Sequence, residues 1–438
     1  MQPEIGHYSE SAFDVDPKTG FMASRVPLGR LPASWELWEA LLDSAINEKL
    51  QPGDIIGLPE EDAARSARWR ERVRQVHPGS PHRRPQHLPH PPPPSPPRPN
   101  LPPPLLHPNP APNIPHPNPQ THLHPHPQSM PPNRYAPRNN LCRHSPLQLE
   151  PHHPDPIDDD FPPKPNNLRS QTLFTGLPDE EAFYLSSARI ELRGVEALEI
   201  MRMTTDEISV GDTLAVGRIT NLLTTLTTVI ARPPKAPLGH VYYNSVRPWF
   251  RGQDSDTHKR KWVFEGLSDL EREGEGISEP RELSGASAGQ SSLVHALDCF
   301  LGVENVKTTT GEGKPSFMSR MQVYMPRNHR LFLDHLAKTE RPLRGFVQES
   351  EDGELVGAFN KAVMALKEFR DSHMIIVTLY IIGPARRARQ SEEDEKRRKE
   401  WKEERLKGTG GTDLVKFLKT TRTQTAETVL ETCNVTTN

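Results

Sequence analysis

Residues 353–383 read GELVGAFNKAVMALKEFRDSHMIIVTLYIIG. Apolar side chains recur at Val356, Phe359, Val363, Leu366, Val377 and Tyr380, in steps of three and four that stack on one face of an α-helix. His373 falls on the same line. Asp352 and Gly353 break the pattern at its start, and Gly383-Pro384 stops it at its end. A helix of about thirty residues would be roughly 45 Å long, enough to cross a domain. A histidine on the buried line of such a helix is ordinarily a packed, hydrogen-bonded core residue. The sharper reading is an axial ligand to a metal or haem.

Outward from this helix, composition sets the class. The chain has 438 residues, 48 prolines, 34% hydrophobic and 6% aromatic residues, with a mean hydropathy of −0.70. Such averages describe a partly disordered chain, but the deficit is local: residues 77–165 hold 32 of the 48 prolines and 12 of the 19 histidines. Elsewhere the sequence reads as an ordinary helical protein. A net charge of −3 gives no whole-chain field for nucleic acid or an anionic membrane. Cys142, Cys299 and Cys433 are too widely spaced for a metal or disulfide framework, so a reduced, cytoplasmic setting is expected. MQPEIGHYSESAFDVD at the N-terminus lacks an apolar signal core. The longest apolar run, Met374 to Ile382 interrupted by Thr378, is too short to span a membrane.

Three regions follow. In 1–76, Ser34 caps a helix with Trp35, Trp38, Leu41, Leu42, Ile46 and Leu50. Pro52-Gly53 ends that helix, and a second covers about 60–76; this small helical region carries no chemistry. In 77–166, each proline fixes φ and removes a donor, leaving polyproline II or disorder. There Pro92 to Arg98 contains PxxP beside a cation, the form of an SH3 or WW ligand. His122, His124 and His126 could capture metal, but histidines in a coil are no fixed coordination shell, and plain linker is the bland alternative.

Helical periodicity returns in 167–438. Pro178 with Asp179, Glu180 and Glu181 starts a helix that carries Ser186 and Ser187 near its apolar side. Another spans about 211–231. A short one, 237–247, ends before Pro248 and puts Tyr243 and Arg247 four apart on one face, beside Tyr242. Taken alone, Arg247 reads as a surface arginine. Gly285 to Gly289 are small residues opening a helix with Leu293, Leu297, Phe300 and Leu301; they admit a flat ligand or close helix packing equally well. Gly311 to Ser316 fails as a phosphate loop, since position 308 is Thr and Pro315 follows the lysine. Residues 391–407 are a solvated charge run. Lys407 to Leu414, KGTGGTDL, is a loop in which Thr412 or Asp413 caps the last helix; it could close over an anionic ligand or serve only as hinge and cap.

Together and in order, seven blocks resemble the indoleamine 2,3-dioxygenases, particularly fungal members. The blocks are Phe183 to Ser187; Tyr242 to Arg247; Ser287 to Ser292 with Asp298 and Leu301-Gly302; Tyr324 to Pro326 with His329-Arg330; Arg344 to Val347; Phe369 to His373 with Ile376 to Thr378; and Gly408 to Leu414. The resemblance covers 168–438 and, more weakly, 1–75. It implies an all-α, two-part helical haem dioxygenase fold with a disordered proline-rich insertion. It also implies haem b with His373 as its iron ligand, Asp298 and Arg370 in the proximal or propionate surroundings, and a haem face against Ser287, Ala288 and Gly289. Tyr242, Tyr243 and Ser187 would line the distal pocket, Arg247 would hold the substrate carboxylate, and the loop at Thr409 would close over it. The implied reaction inserts both atoms of O2 across the indole C2–C3 bond of L-tryptophan. Its product is N-formylkynurenine, the first step of the kynurenine pathway toward NAD, and a monomer with no nucleic-acid or membrane partner is expected. Residues 77–166 depart from the family, because nothing there corresponds to the helical roof of its distal pocket. The sharp edges at Val76 and Asn167 are those of a misread exon or retained intron. Two alternatives stand beside the active enzyme: a haem-binding relative without turnover, and a Pro-rich scaffold for SH3 or WW partners.

Overall fold

The computed structural model describes residues 13–23, 30–51, 58–76, 124–125, 149–151, 168–211, 214–231, 241–256, 261–262, 264–265, 283–303, 316–339, 342–390 and 407–431. These are mostly helical, as the periodicity predicts. The expected disorder of 77–166, the 304–315 loop and the charge run before Lys407 fall outside the described residues, apart from two short pieces of the tract. One is β1 (His124–Pro125), which pairs antiparallel with residues Phe264–Glu265. The other is β2 (Leu149–Pro151), paired with β3 (Leu168–Ser170). A two-stranded ladder has only edges, where a proline without an N–H is tolerated.

The chain divides into two compact units. The smaller, Glu36–Pro137 with Trp262–Glu279, contains α1 (Glu36–Asn47) and α2 (Glu60–Val76). Glu36 and Glu39 favour the positive N-terminal end of α1. The two helices bury Leu41, Ala45, Leu50, Trp69 and Val73 together. The Trp69 indole N–H donates to the Leu41 carbonyl at 3.0 Å, so its polar edge is satisfied inside that small core.

The larger unit holds Met1–Trp35, Arg138–Lys261 and Pro280–Asn438. Its helices are α3 (Pro178–Val210), α4 (Ala215–Ile230), α5 (Ser292–Phe300), α6 (Phe317–Met321), α7 (Arg327–Ala337), α8 (Leu343–Ser350), α9 (Gly353–Val377), α10 (Gly383–Gln390) and α11 (Leu414–Ala426). Helix α3 starts with proline in its first turn and ends at left-handed Gly211 (φ 62°), whose N–H returns to Glu207. Asp352 caps α9, its carboxylate accepting from the Leu355 N–H at 2.8 Å. Helix α9 packs on α4 and α11, α3 on α4, and α5 on α7. Ile219, Leu223 and Leu226 of α4 meet the stripe Leu355, Phe359, Val363 and Leu366 of α9 in one core, all essentially inaccessible. Each such side chain contributes roughly 1.5–3 kcal/mol by burial. Gly194 lets α3 approach α5, since a Cβ there would lie 2.2 Å from Leu293.

Two expected helix ends differ from those observed. Gly383-Pro384 does not stop the long helix: a π turn (Thr378–Ile382) leads directly into α10. The Gly383 N–H reaches back five residues to Thr378, and the widened turn accommodates Pro384, which has no N–H of its own. Pro248 likewise does not end its helix at Arg247. A π turn (Tyr242–Val246) passes into a 3-10 turn (Arg247–Phe250) that takes Pro248 in its first turn. No helix among the described residues is long and apolar enough to cross a membrane.

Candidate functional site

From Leu355 to Leu366 the inward face of α9 is sealed, no residue of its stripe exceeding 8% exposure. Beyond Leu366 the same face opens. Phe369, Arg370, His373 and Tyr380 are only half-buried, while Val377 stays buried. The His373 ring makes no hydrogen bond among the described residues. The core histidines behave otherwise. His295 uses both ring nitrogens, on the Gly289 carbonyl at 2.8 Å and the Gln322 amide at 3.2 Å, and His329 Nδ1 meets Ser292 Oγ at 3.1 Å. Burial, and then the nearby Arg370 cation, push the His373 imidazole below its ordinary pKa. It is therefore held neutral, the form that ligates metal. A neutral, unpartnered imidazole on an accessible apolar strip fits the axial position of a haem.

One turn before His373, Arg370 forms a buried ion pair with Asp298 of α5 and donates to the Thr425 hydroxyl of α11. Asp298 is completely buried. The pair ties three helices together beneath His373, and removing one partner would strand the other charge.

Farther along the same helix, Tyr380 and Ile381 join an aromatic cluster of Tyr184, Tyr242, Val246 and Phe250, with Phe183 and Ala286 alongside. Phe183 stacks on Phe250 at 4.9 Å, and its ring lies 5.4 Å from that of Tyr242. Burial raises the Tyr242 phenol well above its usual pKa, so it keeps its proton. Ser187, one turn past Phe183, is half-buried and lies 3.5 Å from the Phe183 carbonyl. The π turn and helix α9 thus bring the Tyr242 and His373 blocks to one region.

Arg247 is not a surface arginine: it is 4% exposed. Its guanidinium lies 5.6 Å from the Tyr243 ring centroid, the contact expected from the four-residue spacing. Nη2 donates to the Lys407 carbonyl at 2.7 Å, while Nε is buried with no partner. No carboxylate among the described residues pairs with it. Burial and the neighbouring Arg251 lower its pKa. A buried cation lacking an anion is costly; the arrangement is a carboxylate receptor.

The loop of Thr409 is a tight hairpin, with Gly408 N–H to Thr412 carbonyl at 2.8 Å, and Asp413 caps α11 through Lys416 N–H at 3.1 Å. The Thr409 carbonyl accepts from Gly252 and Gly285, and its hydroxyl donates to Ala286. The run of small residues has a structural explanation as well. Ser287 and Gln290 form a reciprocal capping box, Ala288 is exposed, and Gly289 abuts Phe317 and Met321.

Sequence reasoning missed Glu180, reading it as a first-turn acid of α3. Its fully buried carboxylate accepts from the Phe174 and Thr175 N–H groups and the Thr175 hydroxyl at 2.6–2.8 Å. It also raises the Tyr184 pKa, behind the larger effect of burial. Its nearness to the QTLFTG turn was the available signal.

The sequence profile of the family described as indoleamine 2,3-dioxygenase matches residues 9–82 and 147–428. The chain belongs to the indoleamine 2,3-dioxygenase family. Indoleamine 2,3-dioxygenase 2 of Mus musculus is 31% identical over 272 residues, covering 60% of this chain and 62% of the relative. Indoleamine 2,3-dioxygenase of Saccharomyces cerevisiae is 31% identical over 288 residues, with the same shares. A myoglobin of Haliotis madaka is 30% identical over 209 residues, 47% of this chain and 49% of that one. The match to the first two dioxygenases thus spans 62% of their length. The family profile leaves 83–146 unmatched, inside the tract read as an insertion.

Proposed function

We propose that this chain is a haem-dependent oxidoreductase that adds O2 across the indole C2–C3 bond of L-tryptophan to give N-formylkynurenine. The observation that carries the reading is Arg247: a buried guanidinium with an unused Nε, no carboxylate partner, and aromatic side chains around it. An amino acid with an indole side chain supplies both complements, a carboxylate for the fork and a ring for the aromatic wall. Residues 167–438 are the haem-binding part in this reading, with His373 as the protein's iron ligand. Haem, when bound, supplies the oxygen activation. Arg247 holds the carboxylate, Tyr242 and Tyr243 orient the ring, Ser187 borders the pocket, and the Thr409 loop excludes water. Tyr242 stays protonated and does not serve as a base. Arg370 and Asp298 fix the helix that presents His373, and Ser287 to Gly289 border the cofactor. The protein acts in the cytoplasm as a monomer.

The test is assembly with haem, followed by assay of N-formylkynurenine absorbance with L-tryptophan and a reductant. Arg247→Ala should lose roughly 1.5–3 kcal/mol of substrate binding, about 10- to 150-fold, with the Soret band intact. Equal turnover by that variant would overturn the assignment. A haem protein without turnover is the second reading, favoured by the unmatched 83–146 segment and by a relative that bears the name myoglobin. It predicts a Soret band and no product. Docking of SH3 or WW domains on the tract is tested by pull-down with a peptide of residues 88–105.

A further inference from the structure

Arg247 makes one hydrogen bond to protein, and that bond goes to the loop. Its Nη2 donates to the Lys407 carbonyl, 160 residues away in sequence, where the hairpin of Lys407 to Asp413 begins. The hairpin sits in a close-fitting seat. The Thr409 carbonyl lies 3.3 Å from the Gly252 N–H and 3.1 Å from the Gly285 N–H, accepting from both. A Cβ on Gly285 would lie 2.0 Å from the Phe250 carbonyl oxygen and 2.8 Å from that of Thr409, and one on Gly252 would lie 2.1 Å from the Gly285 nitrogen. Only glycine lets these three backbones meet. Gly411, at φ 82°, packs against Asp254 in the same way. The seat and the guanidinium are therefore joined through residues 247–254.

We propose that Arg247 is the joint between ligand and loop: Nη2 holds the Lys407 carbonyl while the unpartnered Nε takes the ligand's carboxylate. Carboxylate binding and seating of 407–413 on Gly252 and Gly285 then strengthen each other. This rests on the reading of Arg247 as a carboxylate holder. Donation to a carboxylate fixes the guanidinium plane, and a fixed plane keeps Nη2 aimed at Lys407. Because coupling between two binding events is reciprocal, loosening the seat must weaken the ligand as much as the ligand tightens the seat. Gly252 and Gly285 are positioning residues in this scheme, and neither needs to touch the ligand.

The experiment uses the full-length, haem-loaded protein. Amide hydrogen exchange is followed in segments covering 250–254, 283–287 and 407–413, with and without L-tryptophan, and tryptophan affinity is read from the shift of the Soret band. L-Tryptophan should slow exchange in all three segments. Gly285→Ala should speed loop exchange and weaken tryptophan by about 10-fold or more, with haem content unchanged. Thr409→Val removes only the hydroxyl bond to Ala286, introduces no backbone clash, and carries the test if Gly285→Ala fails to fold; it should weaken tryptophan by about 5-fold. Tryptophan that binds while exchange stays the same, with Thr409→Val binding at wild-type strength, overturns the coupling and leaves the carboxylate reading standing. Wild-type protein that shows no tryptophan shift removes the carboxylate reading, and the coupling with it.

Discussion

The two halves of α9 share one apolar period, yet the fold uses them differently. Leu355 to Leu366 meet α4 and disappear into the core, whereas Phe369 to Tyr380 keep part of their surface open. The difference is partnership. The first half has a complementary helix along its whole inward face; the second meets α5 and α11 through polar contacts of Arg370 and the aromatic cluster through Tyr380. Side chains that continue a buried stripe without a protein partner mark where something else is to be bound. Here that side is the one facing His373.

Substitutions in the two halves should separate stability from binding. The largest effect is expected from His373→Ala, which should abolish the Soret band while leaving the melting of the haem-free protein nearly unchanged, because the ring is half-open and unbonded. Phe359→Ala should do the reverse. Denaturant unfolding should show a loss of about 3–5 kcal/mol from the cavity it leaves, with haem bound normally by the molecules that remain folded. If both variants lose stability alike, the contrast between the halves is wrong. Arg370→Ala falls on the boundary and strands the Asp298 carboxylate in the core. It should cost about 3–5 kcal/mol in the same assay, and Arg370→Met combined with Asp298→Leu should recover much of that.

The smallest effect concerns pH. Burial holds His295 below its ordinary pKa, so the unfolded chain binds its proton first as pH falls. Its stabilising contribution is complete above about pH 6.5 and is lost below it. The slope is at most about 1.4 kcal/mol per pH unit for one group. His295→Gln should flatten the melting profile between pH 6.5 and 5 by that share. An unchanged profile would mean that His295 is not held neutral.

Much of the larger unit was legible because its signals are local. The stripe of α9, its Asp352 cap, the span of α2 and the Tyr243–Arg247 spacing all follow from periods and end residues within a few turns. What failed depended on partners distant in sequence. Arg247 reads as a surface residue until the hairpin at Lys407 covers it. Glu180 reads as a helix-end acid until the chain turns back at Phe174. The small residues at 287–290 were read as a ligand face, although Ser-x-x-Gln is itself a capping-box pattern. Both prolines were given too much authority, since a π turn lets the helical path continue past either one.

The π turn at Thr378–Ile382 also sets a length rule for the chain. Such a turn carries one residue more than an α-helical stretch of the same rise, so a single deletion between 378 and 382 could be absorbed by a return to ordinary helix. The backbone would survive, but everything after it would rotate by roughly 100° relative to His373. Insertions and deletions in these five positions would therefore leave the fold standing and redirect Tyr380 and Ile381, which makes the segment a dial for pocket shape.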